Sequence, residues 1–242
     1  MARLPRLYAP DLPHLAQARF AVPLSAGGEG GAMLDQVIAW LTGDARHYSV
    51  ALHGWTLTFD QLVILATPSG PNGISSLIQS LGRRLAARLQ IGRVFAGRFR
   101  STLVEPGAWV LPSLVWLETI PVRQGLAADA ELWRWSSAPA HMGAAPAGAL
   151  QDHMDYWRCG NTPFDRQANY RALVLEGLPG AKMAQIEQAL YGQWALGGLA
   201  FVQGLAGISS RRPVAGKRGR PRKQPADRGR GADPHDSGAS PI

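Results

Sequence analysis

Apolar residues recur along the chain in two rhythms, and the rhythm changes element by element. After a proline-rich opening, Leu15 to Val22 reads as a short strand, and the glycine-rich stretch SAGGEGGAM (25–33) reads as a loop. From Met33 to about Ala45, Leu34, Val37, Ile38 and Leu41 fall at helical spacing. Tyr48 to Thr58 and Leu62 to Thr67 then read as two strands joined by the tight connection Phe59-Asp60-Gln61. The second is a short continuous apolar run, as expected of a strand buried on both faces. A second helix follows, with Asn72 as its expected N-cap and Ile74, Leu77, Ile78, Leu81, Leu85 and Leu89 as one apolar stripe. Residues 98–104 resume as a strand, and Trp109 to Glu118 reads as a helix that Pro112 would kink or shift. The order β, α, β, β, α, β, α predicts an α+β fold of the ferredoxin-like split βαβ type, an antiparallel sheet with helices on one face.

Past about residue 150 the pattern turns helical. Thr162-Pro163-Phe164-Asp165 has a threonine cap, a proline at the first helical position and an acid at the third, and Tyr170, Leu173 and Val174 continue that helix. Met183, Ile186 and Leu190 mark another, and residues 198–206 a third. From Arg211 onward apolar residues almost vanish, so 211–242 is expected to be a disordered tail. The expected organisation is therefore a domain over 1–150, a helical region over 151–210 and the tail.

Composition adds a direction to this picture. The net charge is +8, and it is unevenly placed. Residues 211–242 hold nine basic residues against three acids, so +6 lies in the tail and residues 1–210 carry only +2. A basic surplus points to a polyanion, most often nucleic acid. A single cysteine, Cys159, excludes an internal disulfide framework and any cysteine-based zinc site. No run of about 18 apolar residues marks a membrane span, and the expected address is cytoplasmic.

Between Asp60 and Glu105 there is no acid, yet the span holds Arg83, Arg84, Arg88, Arg93, Arg98 and Arg100. Arg84 and Arg88 stand one helical turn apart, where like charges repel unless an anion lies between them. Such a face is either solvated or built for phosphate. In the tail, Lys217-Arg218-Gly219-Arg220-Pro221-Arg222-Lys223 looks like an AT-hook core, in which two arginines lie along a narrow A·T minor groove; a generic basic tail is the alternative. The six histidines form no metal-binding spacing, and no nucleotide-binding or nucleophile-elbow fingerprint is present. Trp55, Trp109, Trp116, Trp133, Trp135, Trp157 and Trp194 read as packing residues rather than base-stacking platforms.

An ordered set of short motifs resembles one family. The opening MARLPRL with Pro13-His14 and Arg19, the helix Gln79-Ser80-Leu81-Gly82-Arg83-Arg84 and the strand Gly97-Arg98-Phe99-Arg100-Ser101 resemble REP-associated tyrosine transposases. Pro121-Val122-Arg123 with Gly125, and Trp133-Arg134-Trp135-Ser136-Ser137, resemble the same family, as do Tyr170-Arg171-Ala172-Leu173 and the RGRP tail. The family belongs to the HUH superfamily of single-strand DNA transposases. What the resemblance implies is a metal, Mg or Mn, held by two histidines on a strand and a polar residue on a helix, beside a tyrosine that attacks the DNA phosphate.

Here the sequence departs from the pattern. The two histidine positions align with Gln61 and Val63, the tyrosine with Trp116 and the polar ligand one turn later with Ile120. Glutamine is a feeble ligand, valine and isoleucine are none, and indole is no nucleophile. The resemblance thus implies a DNA-binding protein for hairpin or repeat DNA, single-stranded or A·T-rich, with no metal cofactor and no nicking. Its DNA contacts are expected from Arg19, Arg83, Arg84, Arg88, Arg98, Arg100 and Arg123, and from Lys217, Arg218, Arg220, Arg222 and Lys223. Three alternatives remain at this level: an active nickase with Asp60 and Gln61 at the metal and Tyr48 as nucleophile, an RNA-binding sheet, and a decaying gene product.

Overall fold

The computed structural model describes residues 5–24 and 30–215. Four strands, β1 (His14–Arg19), β2 (Val50–Leu57), β3 (Gln61–Pro68) and β4 (Arg100–Leu103), form an antiparallel sheet in the order β2-β3-β1-β4. With α1 (Gly30–His47) between β1 and β2 and α2 (Gly73–Leu89) between β3 and β4, this is the expected α+β, ferredoxin-like order.

The apolar run in β3 does what its composition requires. Leu62, Ile64 and Ala66 face one side and Val63 and Leu65 the other, and all are buried. On the first side lie α1, through Leu34, Val37 and Leu41, and α2, through Ile74, Leu77, Ile78, Leu81 and Leu85. The second side is covered as well. It carries α3 (Val110–Glu118), followed by the short α4 (Ile120–Arg123) and α5 (Ala138–His141). It also carries α6 (Met154–Trp157), α7 (Pro163–Glu176) and α8 (Gly180–Gly192), and α9 (Leu199–Gly204) follows in the chain. Tyr170, Ile186 and Leu190 share one apolar cluster with Leu15, Val63, Leu65 and Leu114, so the helices after residue 150 pack on the sheet's second side.

Two local details differ from expectation. Pro112 is the third residue of α3, where its missing N–H has no intrahelical carbonyl to meet, so no kink follows. Asn72 precedes α2 in a helical backbone conformation and its side chain makes no cap bond. Thr162 does cap α7, its Oγ1 accepting from the Asp165 N–H at 3.1 Å. Gly54 lets α3 lie close on β2: a Cβ there would stand 2.5 Å from Leu114 Cδ2.

The first residues of the expected tail pack on the body. The Arg211 guanidinium lies 4.9 Å from the centre of the Trp194 ring, and the Pro213 carbonyl accepts from the Ala195 N–H at 2.9 Å. Residues 211–215 therefore pack on the body, because Trp194 and the chain after α8 offer them a ring and a backbone partner. The AT-hook-like Lys217, Arg218, Arg220, Arg222 and Lys223 lie outside the described residues. No helix among the described residues is long and apolar enough to cross a membrane.

Candidate nucleic-acid interface

Strand alternation and register build the site. Because Val63 and Leu65 face the second side of the sheet, so does Gln61. In β1, Gln17 pairs with Val63 on one flank and Arg100 on the other, and Arg19 pairs with Gln61. Gln17, Arg19, Gln61 and Arg100 therefore share that side. α3 and α4 lay Trp116, Ile120 and Arg123 over them, and α8 supplies Glu187, Leu190 and Tyr191. Between them is a cavity of about 160 Å³, lined by Gln17, Arg19, Gln61, Trp116, Ile120 and Arg123 together with Gln124 and the three α8 residues.

The cavity floor is polar and tightly held. Gln17 donates from Nε2 to Gln61 Oε1 at 2.6 Å, a diagonal pair across β1 and β3, and both side chains are more than nine-tenths buried. Trp116 is 5% exposed, and its indole N–H finds no acceptor among the described residues. A buried donor left without a partner is costly, by about 1–3 kcal/mol.

The rim is cationic with acidic counterweights. The Arg123 guanidinium sits 5.4 Å from the Trp116 ring centre and donates to Thr119 Oγ1. That of Arg100 sits 4.4 Å from the Tyr191 ring centre. Arg19 lies 4.0 Å from Asp60, which also accepts from Thr58 Oγ1 at 2.5 Å and Gln124 Nε2 at 3.3 Å. Desolvation lowers Arg123 below the ordinary arginine value and Glu187 opposes that shift. Three arginines against Asp60 and Glu187 leave a net +1 around the opening. The Arg19–Asp60 pair is exposed, and pairs of that kind are worth about 0–1 kcal/mol, so a phosphate can replace Asp60 at small cost.

Of the four positions aligned with the transposase motif, Gln61, Trp116 and Ile120 thus meet in one cavity, and Val63 lies fully buried two residues further along β3. A divalent cation does not suit this donor set. The Gln61 amide oxygen is engaged by Gln17, Val63 and Ile120 bring only carbon, and no group of three or more histidine, cysteine or acidic side chains among the described residues could hold a metal ion. The structure does not bring Tyr48 beside Asp60 and Gln61. Asp60 is at the β2–β3 turn while Tyr48 precedes β2 at the other end of that hairpin, about 30 Å away at ~3.3 Å per strand residue.

The remaining arginines are dispersed. Arg83, Arg84 and Arg88 are exposed on α2, on the opposite side of the sheet from the cavity, and Arg98 is exposed just ahead of β4. The expectation that this basic run has no acidic partner is overturned at Arg84: α1 brings the buried Asp44 to 3.0 Å from it. Arg93 is spent on the carbonyls of Phe95 and Ala96. Of the expected tryptophans, Trp55, Trp116 and Trp133 are buried, whereas Trp157 is half exposed under the Arg166 guanidinium.

Sequence reasoning missed the network that sets α3 in place. Glu118, fully buried, accepts from Tyr170 OH at 2.7 Å, meets His141 Nδ1 at 2.6 Å and accepts from Ser137 Oγ. Ser137 Oγ in turn accepts from the Trp55 N–H of β2. Glu118 is two residues from Trp116, so this network fixes the wall of the cavity. A lone glutamate at the end of an apolar helix gave no signal of it. Gln17, Glu187 and Tyr191 carried none either.

No protein-family model matches the chain, and no curated protein matches it. Among solved structures, that of a REP-associated tyrosine transposase bound to a REP hairpin is similar in fold. The TM-score is 0.51 at 13% identity, over 63% of this chain and 93% of that one. At that identity the relation is a distant one of fold.

Proposed function

We propose that this chain binds hairpin or repeat DNA with an unpaired strand, and that it does not nick it. The observation that carries the reading is the convergence of Gln61, Trp116 and Ile120 in one cavity rimmed by Arg19, Arg100 and Arg123. Cations at such an opening serve phosphates whatever the sequence. The hairpin bound to the structure of similar fold favours the same class of partner. The donor set of the cavity supports binding without cleavage, since the Gln61 amide oxygen is engaged by Gln17 while Val63 and Ile120 bring only carbon. In this reading residues 1–150 form the DNA-binding unit, 151–210 complete the cavity through α8, and the basic residues after 216 add a second contact.

The test is a labelled stem-loop DNA with unpaired flanks, incubated with the full chain and Mg²⁺ or Mn²⁺ and resolved on native and denaturing gels. The expected result is a retarded complex, no shortened strand and no covalent adduct. Trp116→Tyr should stay inactive, because a phenol alone has no metal-held phosphate to attack. A metal-dependent adduct on any tyrosine would overturn the reading.

A further inference from the structure

We infer that the cavity takes a single unstacked base of the bound DNA, adenine for preference, so that the site reads sequence rather than only holding backbone. The inference rests on the DNA-binding reading and adds a ligand class and residue roles to it. At about 160 Å³ the cavity is well below the roughly 300–1,000 Å³ of sites for larger ligands, and it has room for one planar ring. Its walls combine Trp116, Tyr191, Ile120 and Leu190 with the charged Arg19, Arg123 and Glu187, and its floor is the pair of amides. A phosphate could use the arginines but would gain nothing from the aromatic and apolar part of the wall. A base would.

The polar inventory points the same way. With Gln17 Nε2 donating to Gln61 Oε1, the Gln17 carbonyl oxygen and the Gln61 amide hydrogens remain to bond a ligand. That is an acceptor beside a donor, the complement of adenine N6–H and N7, which glutamine amides read elsewhere. Arg123 and Arg100, held on the Trp116 and Tyr191 rings, stand at the rim where the phosphates on either side of an extruded base would pass. Extrusion is least costly for a base already unpaired, which places it in the flank or loop of a hairpin rather than in its stem.

The experiment is an abasic scan with the unaltered protein. Stem-loop oligonucleotides carry one abasic site at each unpaired position in turn, and a parallel set carries 2-aminopurine there. One position should weaken binding about tenfold or more, the range expected when a base loses its stacking partner, and 2-aminopurine at that position alone should change its fluorescence on binding. With each natural base placed there, adenine should bind most tightly. Gln61→Leu should erase that preference while keeping the salt dependence; should the variant fail to fold, the scan on the unaltered chain decides alone. A flat scan in a protein that binds the hairpins overturns the base pocket and leaves the DNA reading intact. Equal affinity for all four bases overturns the role given to the amides. No binding to any hairpin at low salt overturns both.

Discussion

Replacing Arg19, Arg100 and Arg123 together with glutamine removes the cationic rim and leaves the cavity floor in place. On single strands each phosphate contact contributes about 0.7 to the slope of log affinity against log salt, so three contacts account for about 2. Between 50 and 200 mM salt, the unaltered protein should then lose about 20-fold more affinity than the triple variant. The structural cost is modest. Arg19–Asp60 is an exposed pair worth about 0–1 kcal/mol, and the two arginine–ring contacts are worth about 0.5–1 kcal/mol each. A fall of about 1–3 kcal/mol in a urea titration is therefore expected, and folding is checked first. Fluorescence anisotropy with a labelled stem-loop across a salt series reads the slope. Arg134→Gln is the control, since Arg134 is paired with Asp35 and lies away from the cavity, and its slope should match the parent. A folded triple variant with the parent's slope would refute the placement of phosphate on this rim.

Tyr170→Phe should cost about 1.5–3 kcal/mol, because its hydroxyl bonds the buried Glu118 carboxylate, whereas Tyr156→Phe, bonded to the neutral His141 carbonyl, should cost about 1; urea titrations giving the reverse order would remove Glu118 from the centre of the network. Burial pushes His14 and His53 down to about 4, below the ordinary 6.5, so the unfolded chain binds more protons between those values. Stability should be full above pH 6.5 and fall by a few kcal/mol as pH drops toward 4, and a pH series of urea midpoints with no loss in that window would contradict it. Removing residues 217–242, which leaves the packed 211–215 segment intact, should lower the salt slope. Changing Arg218 and Arg220 to Lys should abolish any preference for A·T-rich over G·C-rich duplex while non-specific affinity survives, read by competition titration.

What the amino-acid sequence determined by itself was local: which stretches are strands and helices, and which of their sides must be dry. The run from Leu62 to Ala66 required cover on both faces, the leucine stripe of α2 set one face of that helix, and Thr162 capped α7 as its spacing with Asp165 implies. Periodicity and capping act within one or two turns, so they are legible without partners. The cavity is not of that kind. Gln17 meets Gln61 across 44 positions because an antiparallel register pairs them, and α8 reaches Arg100 and Gln61 only after the second side of the sheet is filled. The same long-range packing gave Arg84 its acid, Glu118 its three partners and Arg211 its ring. None of these pairings has a local signature, since each depends on which apolar faces bury each other. The sequence alone named Arg19, Gln61, Trp116, Ile120 and Arg123; only the folded chain added Gln17, Glu187 and Tyr191 and brought them all together.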